Sequence, residues 1–201
     1  MGVTERRRRE KVALRQEILD AARELFAKEG YESVSMRRIA EKIEYSPTTI
    51  YLYFQDKREL IEEICNQTFA LLSKKLEKVA AGRGDPLEKL KAGLLAYVDF
   101  GTKHPDQYRL TFMTPYEPSE GKDITTGQGW QTFQHLVKAV TLCVEAGRFR
   151  ETDAMAVSQA LWTVVHGLTS VHITHGQCFP WVDRNRLVNL AIDSTVGGLL
   201  A

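Results

Sequence analysis

Apolar side chains recur every three or four residues along almost the whole chain, which is the spacing of one buried face of an α-helix. No segment has the strict alternation of apolar and polar residues that marks a β-strand. The pattern therefore predicts an all-α fold of about nine helices. Their predicted bounds are about 10–29, 35–44, 46–54, 56–81, 85–104, a short helix that opens at residue 105, 130–146, 153–174 and 181–199.

Capping residues set several of these bounds. Ser35, Ser46 and Asp85 each precede an apolar stripe, and a proline follows the last two at the position where helices tolerate it best. The longest predicted loop, 114–129, is rich in proline, glycine and hydroxyl residues, and we expect it to be mobile. We predict two domains, 1–57 with the first three helices and 58–201 with the others.

The short third helix carries the most specific signal in the chain. In the segment YSPTTIYLYF, residues 45–54, Ile50 and Phe54 share one face, whereas Thr48 and Leu52 point the opposite way. Two buried side chains contribute little to the stability of the fold, so stability alone does not explain this helix. We therefore expect its outer face to bind another molecule. Paired with the helix just before it, this segment predicts a helix-turn-helix, whose second helix enters the major groove of DNA. A plain helical corner stays open as the alternative.

The residue types on this face suit DNA. Ser46 as N-cap directs backbone N–H groups toward an anion, and the hydroxyls of Thr48 and Thr49 can reach phosphates or base edges. Tyr51 can donate to a phosphate, and Leu52 offers apolar contact to a thymine methyl group. The predicted DNA-binding residues are Ser35, Arg37, Tyr45, Ser46, Thr48, Thr49, Tyr51, Leu52, Tyr53 and Lys57.

A family resemblance rests on these residues. The order Phe26, Gly30, Tyr31, Ser35, Ile39 and Ala40, followed by SPTTIYLYFQDKREL, closely resembles the N-terminal domain of the tetracycline-repressor (TetR) family of bacterial transcription regulators. The match spans residues 10–61. It implies a transcription regulator, most often a repressor, that binds a pseudo-palindromic site on double-stranded DNA as a homodimer and is released by a small effector.

Two departures from the family pattern bear on the expected DNA contacts. Glu44 stands in the turn where the family usually has glycine, and Pro47 and Thr48 stand where a Lys-Gly pair often follows the capping serine. A Cβ atom restricts backbone angles that glycine can adopt, so the approach to phosphate is expected to differ here.

The last two helices are more apolar than a single buried face requires, which favours a second subunit. The segment WTVVHGL, 162–168, resembles one C-terminal subgroup of the family in which these helices pair across a dimer. Gly167 would allow close approach of another helix. The predicted interface residues are Gly167, Val171, Val188, Ile192 and Val196.

Aromatic residues of the second domain are either ordinary core or the lining of a cavity for a small apolar or aromatic effector, and spacing does not separate the two. The family resemblance implies that some of them line a pocket. The candidates are Tyr97, Phe100, Tyr108, Phe112, Trp130, Phe133, Trp162 and His166.

Composition and charge add bounds to this picture. The hydrophobic fraction of 43% and the net charge of +1 are ordinary for a soluble protein, and we expect a cytoplasmic one because no apolar run has membrane length. The first fifteen residues hold six Lys or Arg against two Glu, which suits either a phosphate-binding arm or a solvated tail. Three widely spaced cysteines predict neither disulfides nor a zinc site.

Other functions have weaker support. His172 and His175 are one turn apart with Cys178 nearby, but no carboxylate or cysteine pair completes a metal site. No nucleophile and base stand at matched spacing, so we expect no enzyme, no metal and no cofactor. The alternatives left open are a small-molecule-binding helical enzyme and a module whose short helix binds a protein partner.

Overall fold

The computed structural model describes residues 3–115, 123–176 and 178–201. These residues form nine α-helices, a π-helical turn at Arg109–Met113 and a 3-10 turn at Ile124–Thr126, with no strand. The predicted all-α fold is confirmed. The helices are α1 (Val3–Glu29), α2 (Met36–Lys42), α3 (Pro47–Tyr51), α4 (Lys57–Ala80), α5 (Pro86–Lys103), α6 (Pro105–Tyr108), α7 (Gln128–Glu145), α8 (Ala154–His175) and α9 (Arg184–Leu199).

The largest departure from the predicted bounds is at the start of α1. The helix begins at Val3 and not near residue 10, so the predicted start is wrong and the basic segment is helical. Arginine, glutamate and lysine are good helix formers, and Arg6 pairs with Glu10 one turn on at 3.3 Å. Within the predicted loop 114–129, residues 116–122 lie outside the described residues.

Two compact units make up the chain. The first is Met1–Thr68 with Asp106–Pro115, and the second is Phe69–Pro105 with Tyr116–Ala201. The chain passes from the first unit to the second within α4, between Thr68 and Phe69. The boundary was predicted at 57/58, where α4 begins.

The core of the first unit joins α1 to α4. Its side chains are apolar at helical spacing and almost fully buried, and each large one stabilises the fold by about 1.5–3 kcal/mol relative to exposure. They include Ile18, Leu19, Ala22, Leu25, Phe26, Ile39, Ala40, Ile50, Phe54, Leu60, Ile61 and Ile64.

The second unit is a helical bundle in which α5 packs against α7, α8 and α9. Leu94, Val140 and Leu161 are among its buried residues. Burial raises the pKa of the Cys143 thiol to about 11, so this cysteine stays protonated and behaves as an apolar core residue. None of the helices in the described part of the chain has the length and apolar character needed to cross a membrane.

Candidate functional site

The turn between α2 and α3 has the geometry of a helix-turn-helix. Ser35 caps α2 by accepting from the Arg38 N–H at 3.2 Å, and Ser46 caps α3 by accepting from the Thr49 N–H at 3.2 Å. Between the two helices the chain passes through Glu44, whose φ of 59° is the left-handed conformation that favours glycine. Because a residue with a Cβ atom adopts this conformation at a cost in free energy, the backbone of Glu44 is strained.

The third helix is held by two anchors, as the sequence predicted. Ile50 and Phe54 are 0% and 1% exposed, whereas Tyr51 is 53% exposed and Leu52 is 75% exposed. Thr48 is exposed on the same outer side. The structure therefore presents a short helix whose outer face has no partner within the described residues of the chain.

The hydroxyl groups at the start of α3 are not equally available. The Thr49 hydroxyl lies 2.9 Å from the Ser46 hydroxyl, so these two groups hydrogen-bond to each other. From the sequence, the hydroxyls of both Thr48 and Thr49 were predicted to be free, and the structure corrects this for Thr49, which is only half-exposed. Thr49 acts first as part of the cap, and Thr48 is the exposed threonine of the pair.

Lys57 was predicted as a cation for phosphate, but its ammonium group has partners in the protein. It donates to the carbonyl oxygens of Tyr31 at 2.8 Å and Glu32 at 3.3 Å, and it lies 4.3 Å from the centre of the Tyr31 ring. The side chain is half-buried. Lys57 thus fixes the loop between α1 and α2 onto the first turn of α4.

Other cations near the predicted interface are held more loosely. Arg37 pairs with Glu41 at 3.1 Å and Arg38 with Glu29 at 3.3 Å, and all four side chains lie largely at the surface. Exposed pairs of this kind contribute about 0–1 kcal/mol. Both arginines can therefore leave their carboxylates for a phosphate at little cost.

One positioning residue was missed by the sequence analysis, which counted Arg15 only as part of the basic segment. Its guanidinium lies 4.8 Å from the centre of the Phe54 ring and 3.3 Å from a Glu63 carboxylate oxygen. Arg15 therefore holds the chain just after α3 against α1 and α4. A signal was available, because Arg15 stands three and four residues before the buried Ile18 and Leu19 and so borders the core face.

Five of the predicted pocket residues form one aromatic cluster in the second unit. The Phe133 ring centroid lies 5.8 Å from that of Trp130 and 6.0 Å from that of Trp162, and the Trp162 and His166 rings are 5.5 Å apart. The Trp162 indole N–H donates to the Tyr97 hydroxyl at 3.2 Å. We call these five residues the aromatic cluster.

A polar chain continues through the aromatic cluster. His166 Nδ1 lies 3.5 Å from the Tyr97 hydroxyl, and its Nε2 lies 3.3 Å from the Ser170 hydroxyl. Burial lowers the pKa of His166, because desolvation penalises its charged form. Trp162 is 38% exposed, so the cluster reaches the protein surface.

The other three pocket candidates are placed differently. Phe100 is buried, with its ring 5.0 Å from that of His104. Tyr108 is fully buried and its ring lies 4.7 Å from that of Phe112, in a segment that belongs to the first unit. Phe100 and Tyr108 are core side chains, which corrects their prediction as pocket lining.

The predicted dimer residues separate into two sets. Val188, Ile192 and Val196 are buried in the second unit, because this stripe of α9 faces the chain's own helices, and their prediction as interface residues is wrong. Gly167 and Val171 of α8 lie at or near the surface, and a Cβ atom added to Gly167 would have no neighbour within 4 Å.

His172, near the end of α8, is held by contacts within the protein. His172 Nδ1 bonds to the Leu168 carbonyl oxygen at 2.7 Å, and its ring stacks on Trp181 with 5.3 Å between centroids. Over the ranges that the structure describes, no three His, Cys, Asp or Glu residues come together as a metal site.

Comparison with known proteins places the chain in a family. Residues 18–64 match the family described as "Bacterial regulatory proteins, tetR family", and residues 90–195 match "Tetracyclin repressor-like, C-terminal domain". The second match alone covers more than half of the 201 residues. The chain belongs to the TetR family. The match to the C-terminal domain is broader than the local resemblance predicted from residues 162–168, and the assignment of that segment to one C-terminal subgroup stays a prediction.

Relatives and solved structures agree with this placement. The transcriptional repressor KstR of Mycolicibacterium smegmatis is 34% identical over 76 residues, which cover 38% of this chain and 37% of KstR. The uncharacterised regulator YobS of Bacillus subtilis is 25% identical over 154 residues, which cover 76% of this chain and 75% of YobS. A protein of unknown function from Rhodococcus sp. RHA1 has the same fold, with a TM-score of 0.78, 22% identity and coverage of 94% and 96%. The chain spans only 34–38% of the length of three curated relatives, KstR among them.

Proposed function

We propose that this TetR-family chain is a DNA-binding transcriptional regulator that acts as a repressor and binds double-stranded DNA as a homodimer. The carrying observation is the geometry of α3, which is anchored by Ile50 and Phe54 and presents Thr48, Tyr51 and Leu52 outward. In a helix-turn-helix the second helix lies in the major groove of DNA, and α3 has this position directly after α2. Because the matched family is one of bacterial regulatory proteins, we propose a regulator without enzymatic activity, which would bind DNA in the cytoplasm.

Charge at the start of α1 supports phosphate binding. Arg7, Arg8, Arg9 and Lys11 are exposed on a helix that begins at Val3, so they form a rigid basic extension of the first unit. When exposed cations neutralise DNA phosphates, the counterions condensed on the DNA are released, and this strengthens binding at low salt. We propose that this extension contacts the DNA backbone and leaves base recognition to α3.

The surfaces of α8 and α9 support dimerisation. Gly167 and Val171 on α8 and Leu190, Gly197 and Gly198 on α9 leave small or apolar groups at the surface. Small residues let helices approach closely, and a two-fold axis would present two copies of α3 to successive major grooves, about 34 Å apart. A homodimer would therefore select a pseudo-palindromic operator.

The aromatic cluster supports a small apolar or aromatic effector. Its rings offer stacking surfaces, and the Tyr97 hydroxyl and the His166 ring supply polar groups within them. Pockets that bind drug-sized ligands combine such apolar walls with few polar groups. We propose that an effector bound here lowers the affinity for the operator.

The proposal is tested by selection from a random duplex library with the purified protein. Enrichment of a site with two-fold symmetry, bound by a dimer, would support it. A folded dimer that enriches no site would contradict DNA recognition and favour a protein-binding or enzymatic role. An operator placed over a reporter promoter then tests repression, since a repressor must lower expression.

The effector is tested on the same operator complex. Small aromatic and apolar compounds that release the DNA should also change the tryptophan fluorescence, and a Trp162→Ala variant should need a higher compound concentration for release. Release that is equally sensitive in Trp162→Ala would place the effector away from the aromatic cluster.

A further inference from the structure

Leu52 is the most exposed large apolar side chain in the described residues, at 75% of its full exposure. It stands at the C-cap of α3, two residues after the buried Ile50 and two before the buried Phe54. Tyr51, the residue before it, and Tyr45, at the start of the same segment 45–54, are also exposed, so this segment has an apolar and aromatic surface. A leucine placed in water at this point contributes nothing to the core of the first unit.

The other side chains of this surface lack the groups that distinguish base pairs by paired hydrogen bonds. Residues 45–54 contain no Arg, Lys, Asn, Gln, Asp or Glu, which are the side chains that read base edges in the major groove with the greatest specificity. The Thr49 hydroxyl is bonded to Ser46, and the Lys57 ammonium is bonded to the α1–α2 loop. What α3 presents to a base is therefore mainly apolar surface, with the hydroxyls of Thr48 and the tyrosines.

We infer that α3 selects its operator by apolar contact with the C5 methyl group of thymine, and that Leu52 is the residue that makes this selection. This inference rests on the proposed function. The methyl group is the one apolar feature of a base pair in the major groove, and it separates thymine from cytosine. An exposed leucine on a helix that enters the groove has no better partner there.

Uracil provides the most direct test, because it keeps every hydrogen-bonding group of thymine and lacks only the methyl. After an operator has been selected, each thymine is replaced by deoxyuridine, one position at a time and then in both half-sites. We expect one position in each half-site where the replacement weakens binding about three- to fivefold, the value of one buried methyl group. Replacement in both half-sites should weaken binding by about tenfold or more.

A matched pair of variants assigns the effect to Leu52. Leu52→Ala should bind the thymine and uracil operators equally, because the contact that distinguishes them is gone. Leu142→Ala removes an exposed leucine from α7, in the second unit, and should discriminate as the wild type does. Both leucines are exposed, so neither change should disturb folding.

Restoring the methyl group on a different base provides a second test of methyl recognition. Exchange of the sensitive T·A pair for C·G should weaken binding, and 5-methylcytosine at that position should recover part of the loss because it restores the methyl group. Such recovery in the wild type but not in Leu52→Ala would support methyl recognition independently of uracil.

The outcomes separate the inference from the proposed function. An operator that binds tightly but shows equal affinity with thymine and uracil at every position would overturn the inference and leave DNA binding intact. Discrimination that persists in Leu52→Ala would overturn the role of Leu52. Failure to select any operator would contradict the proposed function itself, and the inference with it.

Discussion

The Lys57 ammonium group lies 2.8 Å from the carbonyl oxygen of Tyr31 and 4.3 Å from the centre of the Tyr31 ring. The Tyr31 ring also packs edge-on against Phe26, with 5.3 Å between centroids. One side chain at the first turn of α4 thus closes the loop that precedes α2. The position of the two helices that form the candidate DNA-binding surface depends in part on this contact.

Replacement of Lys57 by Met should therefore lower the stability of the protein and leave the electrostatic contribution to DNA binding unchanged. The loss of charged hydrogen bonds and of the cation–π contact should reduce the free energy of unfolding by about 1–3 kcal/mol in chemical denaturation. The salt dependence of operator binding should stay as in the wild type. A phosphate-binding lysine would instead lower the slope of log affinity against log salt by about 1.

Lys74→Met is the matched control, because Lys74 is an exposed lysine on the same helix α4. Its stability should stay within about 0.5 kcal/mol of the wild type. Normal stability of Lys57→Met together with a smaller salt slope would show that Lys57 contacts phosphate and does not hold the loop.

Backbone strain at Glu44 predicts a stabilising substitution. With φ at 59°, a side chain with a Cβ atom costs about 1–2 kcal/mol that glycine avoids. Glu44→Gly should raise the free energy of unfolding by about 1 kcal/mol, since glycine also loses more entropy on folding. Gly30→Ala is the reverse test, because Gly30 has φ of 84° and open space around it, and it should lose about 1 kcal/mol. Changes of the same sign in both variants would refute the strain argument.

Close packing at Gly129 predicts the opposite sign from ordinary helix propensity. A Cβ atom there would lie 3.0 Å from Cζ of Phe69, so Gly129→Ala should lower stability by about 1–3 kcal/mol despite the better helix former. Gly93→Ala, in an open position of α5, should gain up to about 1 kcal/mol. Thermal unfolding of both variants measures these changes in stability. A gain in stability for Gly129→Ala equal to that for Gly93→Ala would show that the Phe69 side chain moves aside without cost.

The lowered pKa of His166 predicts a pH effect with a definite sign. The folded protein favours the neutral ring, so the unfolded chain takes up a proton first as the pH falls below the ordinary value of 6.5. The stability from neutral His166 is therefore present above that value and is lost as the pH falls toward the lowered pKa. Between about pH 7.5 and pH 5.5, His166→Gln should lose less stability than the wild type. An equal loss in both proteins would mean that His166 titrates alike in the folded and unfolded states.

Much of this architecture could be predicted from local patterns. Caps such as Ser46 and the spacing of Ile50 and Phe54 act within a few residues, so the helices and the exposed face of α3 follow from the sequence. The role of Lys57 could not be predicted, because its partners lie 26 and 25 residues earlier in the chain. The buried stripe of Val188, Ile192 and Val196 illustrates the same limit, since periodicity identifies an apolar face but not the surface that covers it.

Titration of the selected operator with wild type and Tyr51→Ala at two salt concentrations decides whether the outer face of α3 reads DNA. Wild-type affinity should fall about a thousandfold or more between about 50 and 200 mM salt. Tyr51→Ala, at an exposed position, should fold normally and bind the operator about tenfold more weakly than the wild type, while Leu142→Ala should bind as the wild type does. Unchanged operator affinity in Tyr51→Ala would show that the outer face of α3 does not contact the DNA.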